Sequence, residues 1–339
     1  MDALVSRVAI AVLVVAVPAW TVASLTLVLG RMVHDWRRAT RARMEPRARE
    51  VTRLIRRAGG RPRTELGKRR RITAVARLAK AGHPATPRLV RPLVEDPDPA
   101  FSSAAIRVLG DLGDEWAVDR LVGALKMGCG PRSRIATEIE RLAPAPGPKL
   151  VPLLRSRNPS VRFWAATLLR PYPELAGDRL VALTWDVDAN VRAAAAETLA
   201  TRTGPEVGTA LLACLEDSEW FVRAHAARAV GDVVGVEAAP TIARLLADED
   251  WWVRMAAQSA LRGLGLDAVQ SVASVLTHAD PVARNGAAEV LQDVGFVDEL
   301  VRRDPQSRLL ERIYAAGGAR FRAAAEARAE GLVEGARAA

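Results

Sequence analysis

The side chains best suited to chemistry here are two cysteines, four histidines and one Asp-x-Asp pair. Cys129 and Cys214 stand far apart without Cys-x-x-Cys spacing, so neither a redox dithiol nor a zinc site follows from them. His34, His83, His225 and His278 share no ligand spacing, and His225 is expected on a helix surface. Asp186-Val187-Asp188 has the form of a metal-binding Asp-x-Asp. Both acids recur as columns of a repeat, however, so turn and cap chemistry accounts for them. No Gly-rich loop opens a helix, and the chain has neither a nucleophile elbow nor a His-Glu-x-x-His. No catalytic residue, metal ligand or cofactor is expected, and the chain reads as a non-enzyme.

The chemistry that does recur is that of arginine. Arg162, Arg192, Arg223, Arg254 and Arg284 follow one another at steps of 30, 31, 31 and 30 residues. Each sits in a similar stretch, such as Val191-Arg192-Ala-Ala-Ala-Ala-Glu-Thr-Leu199 or Val253-Arg254-Met-Ala-Ala-Gln-Ser-Ala-Leu261. Stepping back from Arg162 reaches Arg132, Ser102 and Ile72; the copy at Ser102 keeps the apolar and small positions and the other two keep fewer, which makes eight units, the first and third irregular, with Leu309 to Ala316 as a degenerate cap. A fixed period of this size marks a solenoid, in which each unit buries its apolar face only against its neighbours. Such arrays present long surfaces to partners more often than they build catalytic pockets.

The elements that position these arginines are helical hairpins. Val161, Ala165, Leu168 and Leu169 fall at spacings of 0, 4, 7 and 8, one stripe of an α-helix. Segments such as Ala239 to Ala247 supply the other helix of each pair. Between the two lies an acidic turn: Asp98-Pro99, Asn158-Pro159, Asp188, Glu219, Asp250 and Asp280-Pro281 each stand four residues before the arginine position. Asp or Asn there caps the helix that follows, and Pro suits its first turn. A second acidic column, Asp96, Asp186, Asp217 and Asp248, lies two residues earlier.

The turn Asp-x-x-x-Arg followed by Ala-Ala-x-x-Leu resembles the HEAT-repeat family, and within it the bacterial HEAT-like repeats of phycobilin lyases, over residues 68–305. The resemblance implies an all-α, right-handed solenoid of about eight hairpins. It also implies a structural ladder of Asp and Arg between adjacent repeats, drawn from Arg162, Arg192, Arg223, Arg254 and Arg284 with Asp188, Asp217, Asp248, Asp250 and Asp280. Removing Arg223 is then expected to leave Asp217 or Glu219 unpaired. No lyase-specific residue can be matched, so that activity does not carry over.

Repeat necessity does not explain the aromatics. Trp220 and Trp251 occupy equivalent turn positions, as do Phe221 and Trp252, where capping chemistry asks for polar residues or Pro. Only 15 of the 339 residues are aromatic, so four in two adjacent turns is a departure from chance. Two readings stand: rings that fill gaps between repeats, or an exposed strip that binds a partner, extended by Trp164. A further column, Arg107, Thr137, Thr167, Glu197, Arg228, Ser259 and Glu289, is implied by the resemblance to lie on or near the concave face. Its mixed signs disfavour a nucleic-acid groove.

Val8 to Gly30 is a run of 23 residues without a charge. At about 1.5 Å per residue it reaches roughly 35 Å, enough for a hydrocarbon core of about 30 Å and longer than a signal-peptide core. Residues 31–71 carry 16 Lys or Arg against four acids, a net +12 in a chain of net +10. The basicity therefore belongs to this stretch alone. The domain order expected is a short outer N-terminus (1–7), a transmembrane helix (8–30), a basic linker (31–67), the solenoid (68–305) and a cap with an Ala/Arg/Glu-rich tail (306–339). The positive-inside rule puts the solenoid in the cytoplasm. Arg37, Arg38, Arg41 and Arg43 would face anionic lipid headgroups. The whole reads as a scaffold or adaptor of the bacterial inner membrane that binds a protein partner. The Asp-Trp-Trp-Val-Arg turn resembles those of HEAT proteins associated with membrane glycosyltransferases. The rival readings are a lyase- or chaperone-type modifier of a cofactor protein, and nucleic-acid binding through the basic linker.

Overall fold

The computed structural model describes residues 51, 53–60, 64–318, 323 and 327. The short N-terminus, the apolar run 8–30, Arg37, Arg38, Arg41 and Arg43, and nearly all of the tail beyond residue 318 lie outside the described residues. Among the described residues there is no strand, and no helix is long and apolar enough to cross a membrane.

Contacts divide the described residues into two compact units that meet in sequence between Leu93 and Val94. The first contains the helix Glu65–Lys80, whose first turn is capped by the Thr64 hydroxyl accepting from the Gly67 amide, and all but the last residue of the helix Thr86–Val94. Arg71 Nε donates to the Ala58 carbonyl within this unit.

The second unit is built from helical hairpins. The second helix of each runs over Pro99–Leu112, Arg132–Arg141, Pro159–Leu168, Ala189–Leu199, Trp220–Val234, Trp251–Leu264 and Pro281–Asp293, and Arg308–Ala316 closes the series. Neighbouring second helices stack directly, as Trp220–Val234 does on Ala189–Leu199 and on Trp251–Leu264. Their contact stripe is the apolar column. Val161, Val191, Val222, Val253 and Ala283 are fully buried, as are Leu169, Leu199, Val230, Leu261 and Leu291. Each of the larger side chains contributes about 1.5–3 kcal/mol by leaving water. Between them the middle of each stripe is Ala165, Ala195, Ala226, Ala257 or Ala287, all 0% exposed. A methyl there lets the helix axes come close, and a larger side chain would cost about 1–3 kcal/mol by overpacking.

Two of the later first helices are short and end tightly. Ala239–Arg244 passes into a 3-10 turn, Leu245–Ala247, and Val269–Ser274 into Val275–Thr277. Gly235 and Gly265 close the two long second helices at φ 74° and 65°, left-handed conformations that a side chain would strain.

The turn between the two helices follows its capping residues. Side chains of Asp98, Asn158, Asp188, Asp250 and Asp280 accept from amides in the first turn of the next helix, for example Trp252 N to Asp250 Oδ1 at 2.8 Å. Glu219 holds the same position without a side-chain cap bond. Its extra methylene carries the carboxylate past the amides that Asp reaches.

Candidate functional site

The turns align along one edge of the second unit, and the arginines tie them together. Arg162 donates Nε and Nη2 to the two oxygens of Asp186, both at 2.7 Å. Arg192 grips Asp217 at 2.7 and 2.8 Å, and Arg223 grips Asp248 at 2.9 and 2.8 Å. The third nitrogen, Nη1, binds a carbonyl of the arginine's own turn: Ser156, Asp186 and Asp217 respectively. One planar guanidinium thus locks its own turn on one side and reaches the next repeat on the other. Each acid also accepts from the amide two residues on, as Asp248 does from Asp250. The paired side chains are only 8–16% exposed. Burial pushes the carboxyls of Asp186 and Asp217 up, but the arginine bonds and the turn amides outweigh it and hold both below the usual carboxylate range.

The expected ladder needs correction. Its acids are Asp186, Asp217 and Asp248, the column nearer the first helix. Asp188, Asp250 and Asp280 face their own helices as caps. The carboxylate orphaned by loss of Arg223 is therefore that of Asp248, in the following repeat, and not Asp217 or Glu219. Arg254 and Arg284 keep the Nη1 bonds to their own turns, at 2.7 Å to the carbonyls of Asp248 and His278. Among the described residues they meet no carboxylate. The position that should supply one to Arg254 is His278, whose Nδ1 accepts from the Asp280 amide and does only the turn's work.

On this same edge stand the aromatics. Trp220 is 41% exposed, Trp251 53% and Trp252 58%, while Phe221 and Trp164 are half-buried. Trp251 and Trp252 meet edge to face with ring centroids 4.7 Å apart, and Trp220 and Phe221 do so at 5.6 Å. Trp164 makes its contact within its own helix, edge to face with Phe163. Three residues unnoticed in the sequence extend the apolar edge: Trp185 at 72% exposure, Val187 at 94% and Val282 at 52%. Trp185 has no aromatic counterpart in other repeats, so column comparison carries no signal for it. Val187 sits inside the Asp-x-Asp, where its flanking acids draw attention.

A second cross-repeat tie was also illegible. Arg202, 4% exposed, donates to the carbonyl of Thr198 in its own repeat and to those of Leu169, Tyr172 and Leu175 in the turn that ends the preceding repeat's helix. Burial without a contacting carboxylate lowers its pKa. The cleft beside it, of about 620 Å³, is lined by Glu174, Asp178, Arg179, Arg202 and Glu206 with Thr201 and Thr203, and holds charges of both signs.

The mixed-sign column is accessible, with Arg107, Thr137, Arg228 and Ser259 exposed and Thr167, Glu197 and Glu289 partly so. Within it Glu197 accepts from Arg170 at 3.0 Å and lies 3.6 Å from His225. Burial lowers the His225 pKa, and Arg228 and Arg170 add to it against the pull of Glu197. Cys129 and Cys214 are both free, and burial pushes the Cys214 thiol up to about 11. Among the described residues no cluster of His, Cys, Asp or Glu could hold a metal ion.

Several solved structures resemble the chain. An engineered protein matches at 19% identity and a TM-score of 0.40, covering 84% of this chain and 92% of its own. Human deoxyhypusine hydroxylase in complex with glycerol matches at 18% and 0.32, covering 73% and 96%. The CpcE–CpcF complex of phycocyanin lyase from Nostoc sp. matches at 21% and 0.37, covering 68% and 93%. No curated protein sequence matches. The family model for HEAT repeats fits residues 68–143, 147–231, 177–262 and 209–292, in step with the hairpins, the buried stripe and the arginine rungs. The chain belongs to the HEAT-repeat family.

Proposed function

We propose that this HEAT-repeat protein is a membrane-anchored scaffold whose turn edge holds a protein partner. The observation that carries this reading is the exposure of Trp185, Val187, Trp220, Trp251, Trp252 and Val282 along consecutive turns of one edge. Helix capping needs none of these side chains, and leaving large rings in water is unfavourable unless something covers them. Trp is also the residue type most enriched where binding energy concentrates.

The anchor is the uncharged run 8–30, and the +12 stretch after it keeps the repeats on the cytoplasmic side of a bacterial inner membrane. Arg37, Arg38, Arg41 and Arg43 then lie against anionic headgroups, at about 1 kcal/mol each. A membrane glycosyltransferase is the partner suggested by the resemblance of the Asp-Trp-Trp-Val-Arg turn. The scaffold performs no chemistry of its own in this reading.

The test is affinity purification of the full chain from membranes, alongside the double variant Trp251→Ala/Trp252→Ala. A protein recovered with the wild type and lost with the variant, at unchanged melting temperature, supports the reading. Equal recovery with both refutes it.

A further inference from the structure

The ladder provides its own standard for what a guanidinium at this edge holds. In three successive rungs the Nε/Nη2 edge takes one carboxylate side-on, at 2.7–2.9 Å, while Nη1 fixes the arginine to its own turn. Arg254 and Arg284 are fixed in the same way, Nη1 reaching carbonyls six and five residues back: Asp248 and Glu249 for one, His278 and Ala279 for the other. Their Nε/Nη2 edges are set for the same ligand and hold none among the described residues. Both side chains remain partly exposed. The local acids Asp250 and Asp280 are engaged in capping. Trp251, Trp252 and Val282 stand on the same two turns, each more than half exposed.

We propose that Arg254 and Arg284 are a pair of carboxylate sites, and that the partner enters this edge as an extended acidic segment that continues the ladder. This rests on the turn edge being the docking surface, and adds what the partner must present. Successive second helices lie about 8–10 Å apart, and an extended chain advances roughly 3.3 Å per residue. Two carboxylates three residues apart therefore reach both guanidinium edges. An apolar residue between them meets the aromatics of the turn. The bidentate geometry selects carboxylate over a neutral amide of the same shape, because only the anion offers two charged acceptors to the fork. The Arg254 site is open because His278 stands where Asp186, Asp217 and Asp248 stand in the preceding repeats. One substitution can therefore close that half of the pair from within.

The probe is a fluorescein-labelled peptide, Gly-Asp-Leu-Ser-Asp-Gly, with the same peptide carrying Asn for both Asp as control, titrated by anisotropy against the full chain in detergent. The Asp peptide is expected to bind at least about tenfold more tightly than the Asn peptide, a factor typical of losing charge-assisted bonds. His278→Asp, which supplies the missing rung to Arg254 and leaves Arg284 open, should cut binding of the Asp peptide by about threefold, one site's share of that factor. It should also raise the melting temperature by roughly 2–4 °C. His278→Asn keeps the turn acceptor without the charge and should leave binding as in the wild type. Arg254→Ala should weaken binding as much as His278→Asp does, without any gain in stability. Equal binding of the two peptides, binding of neither, or undiminished binding by His278→Asp overturns the proposal. Recovery of the native membrane partner separates the two ideas. If Trp251→Ala/Trp252→Ala loses it and His278→Asp retains it, the edge stands and the carboxylate sites fall. If the Trp variant retains it, the edge itself is wrong.

Discussion

Arg223→Ala and Arg254→Ala remove the same side chain from the same column, yet they should differ in cost. Arg223 loses both bonds to Asp248 and its bonds to the carbonyls of Asp217 and Ser218. What remains is a carboxylate 8% exposed, stabilised only by the Asp250 amide. Breaking a buried pair by deleting one partner costs about 3–5 kcal/mol, because the surviving charge stays buried. Arg254 loses only its two carbonyl bonds and orphans no acid, a loss of about 1–2 kcal/mol. The gap between the variants should thus be roughly 2–3 kcal/mol. Solenoid stability is a sum over neighbours, so a single global midpoint can blur the effect. Amide hydrogen exchange resolves it: Arg223→Ala should lose protection across residues 205–264, the two repeats that share the rung. Asp248→Ala in the Arg223→Ala background should then cost little more, since the orphaned charge is gone. Equal costs for the two arginines, or a loss spread evenly along the chain, would refute the ladder as the bond between repeats.

Other outcomes follow from the same geometry. Trp251→Ala/Trp252→Ala should weaken partner capture by about 2 kcal/mol or more while barely moving the melting temperature, since exposed rings leave no cavity; a large fall in melting temperature would instead mark them as packing. His225 has a folded pKa below its ordinary value of about 6.5. Its contribution to stability is therefore present above that pH and lost as pH falls through it toward the folded value. The drop should shrink in His225→Gln, as followed by melting from pH 7.5 to 5. A reporter fused after Ala339 should be active only in its cytoplasmic form, and a periplasmic C-terminus would overturn the membrane orientation.

How much of this was legible depended on whether the physical cause repeats. Burial repeats: Val161, Ala165, Leu168 and Leu169 stand in the sequence as one face of a helix, and they are buried in the fold. Capping repeats as well, and five of the six expected turn residues cap. The ladder was only half readable, because two acids separated by one residue look alike on paper. Which of them turns to the next repeat is decided by the turn itself: the cap acid is held by amides ahead of it, leaving the earlier acid to face the neighbouring arginine. The break at His278 follows only once that column is known. Arg202 and Trp185 occur once each, so no column exposes them. Arg202 gains its partners from carbonyls in the turn where an earlier helix ends, which depends on where that helix stops.

The most direct measurement of the docking edge is site-specific photocrosslinking in intact membranes, with p-benzoylphenylalanine at position 252 in one strain and at position 266 in another. Leu266, 51% exposed, matches Trp252 at 58% as a solvent-facing apolar residue but lies in the 3-10 turn after the second helix, away from the inter-helix turns. The expected result is one dominant protein adduct from position 252 and none from position 266. Adducts from both positions alike, or from neither, would contradict a partner seated on the turn edge.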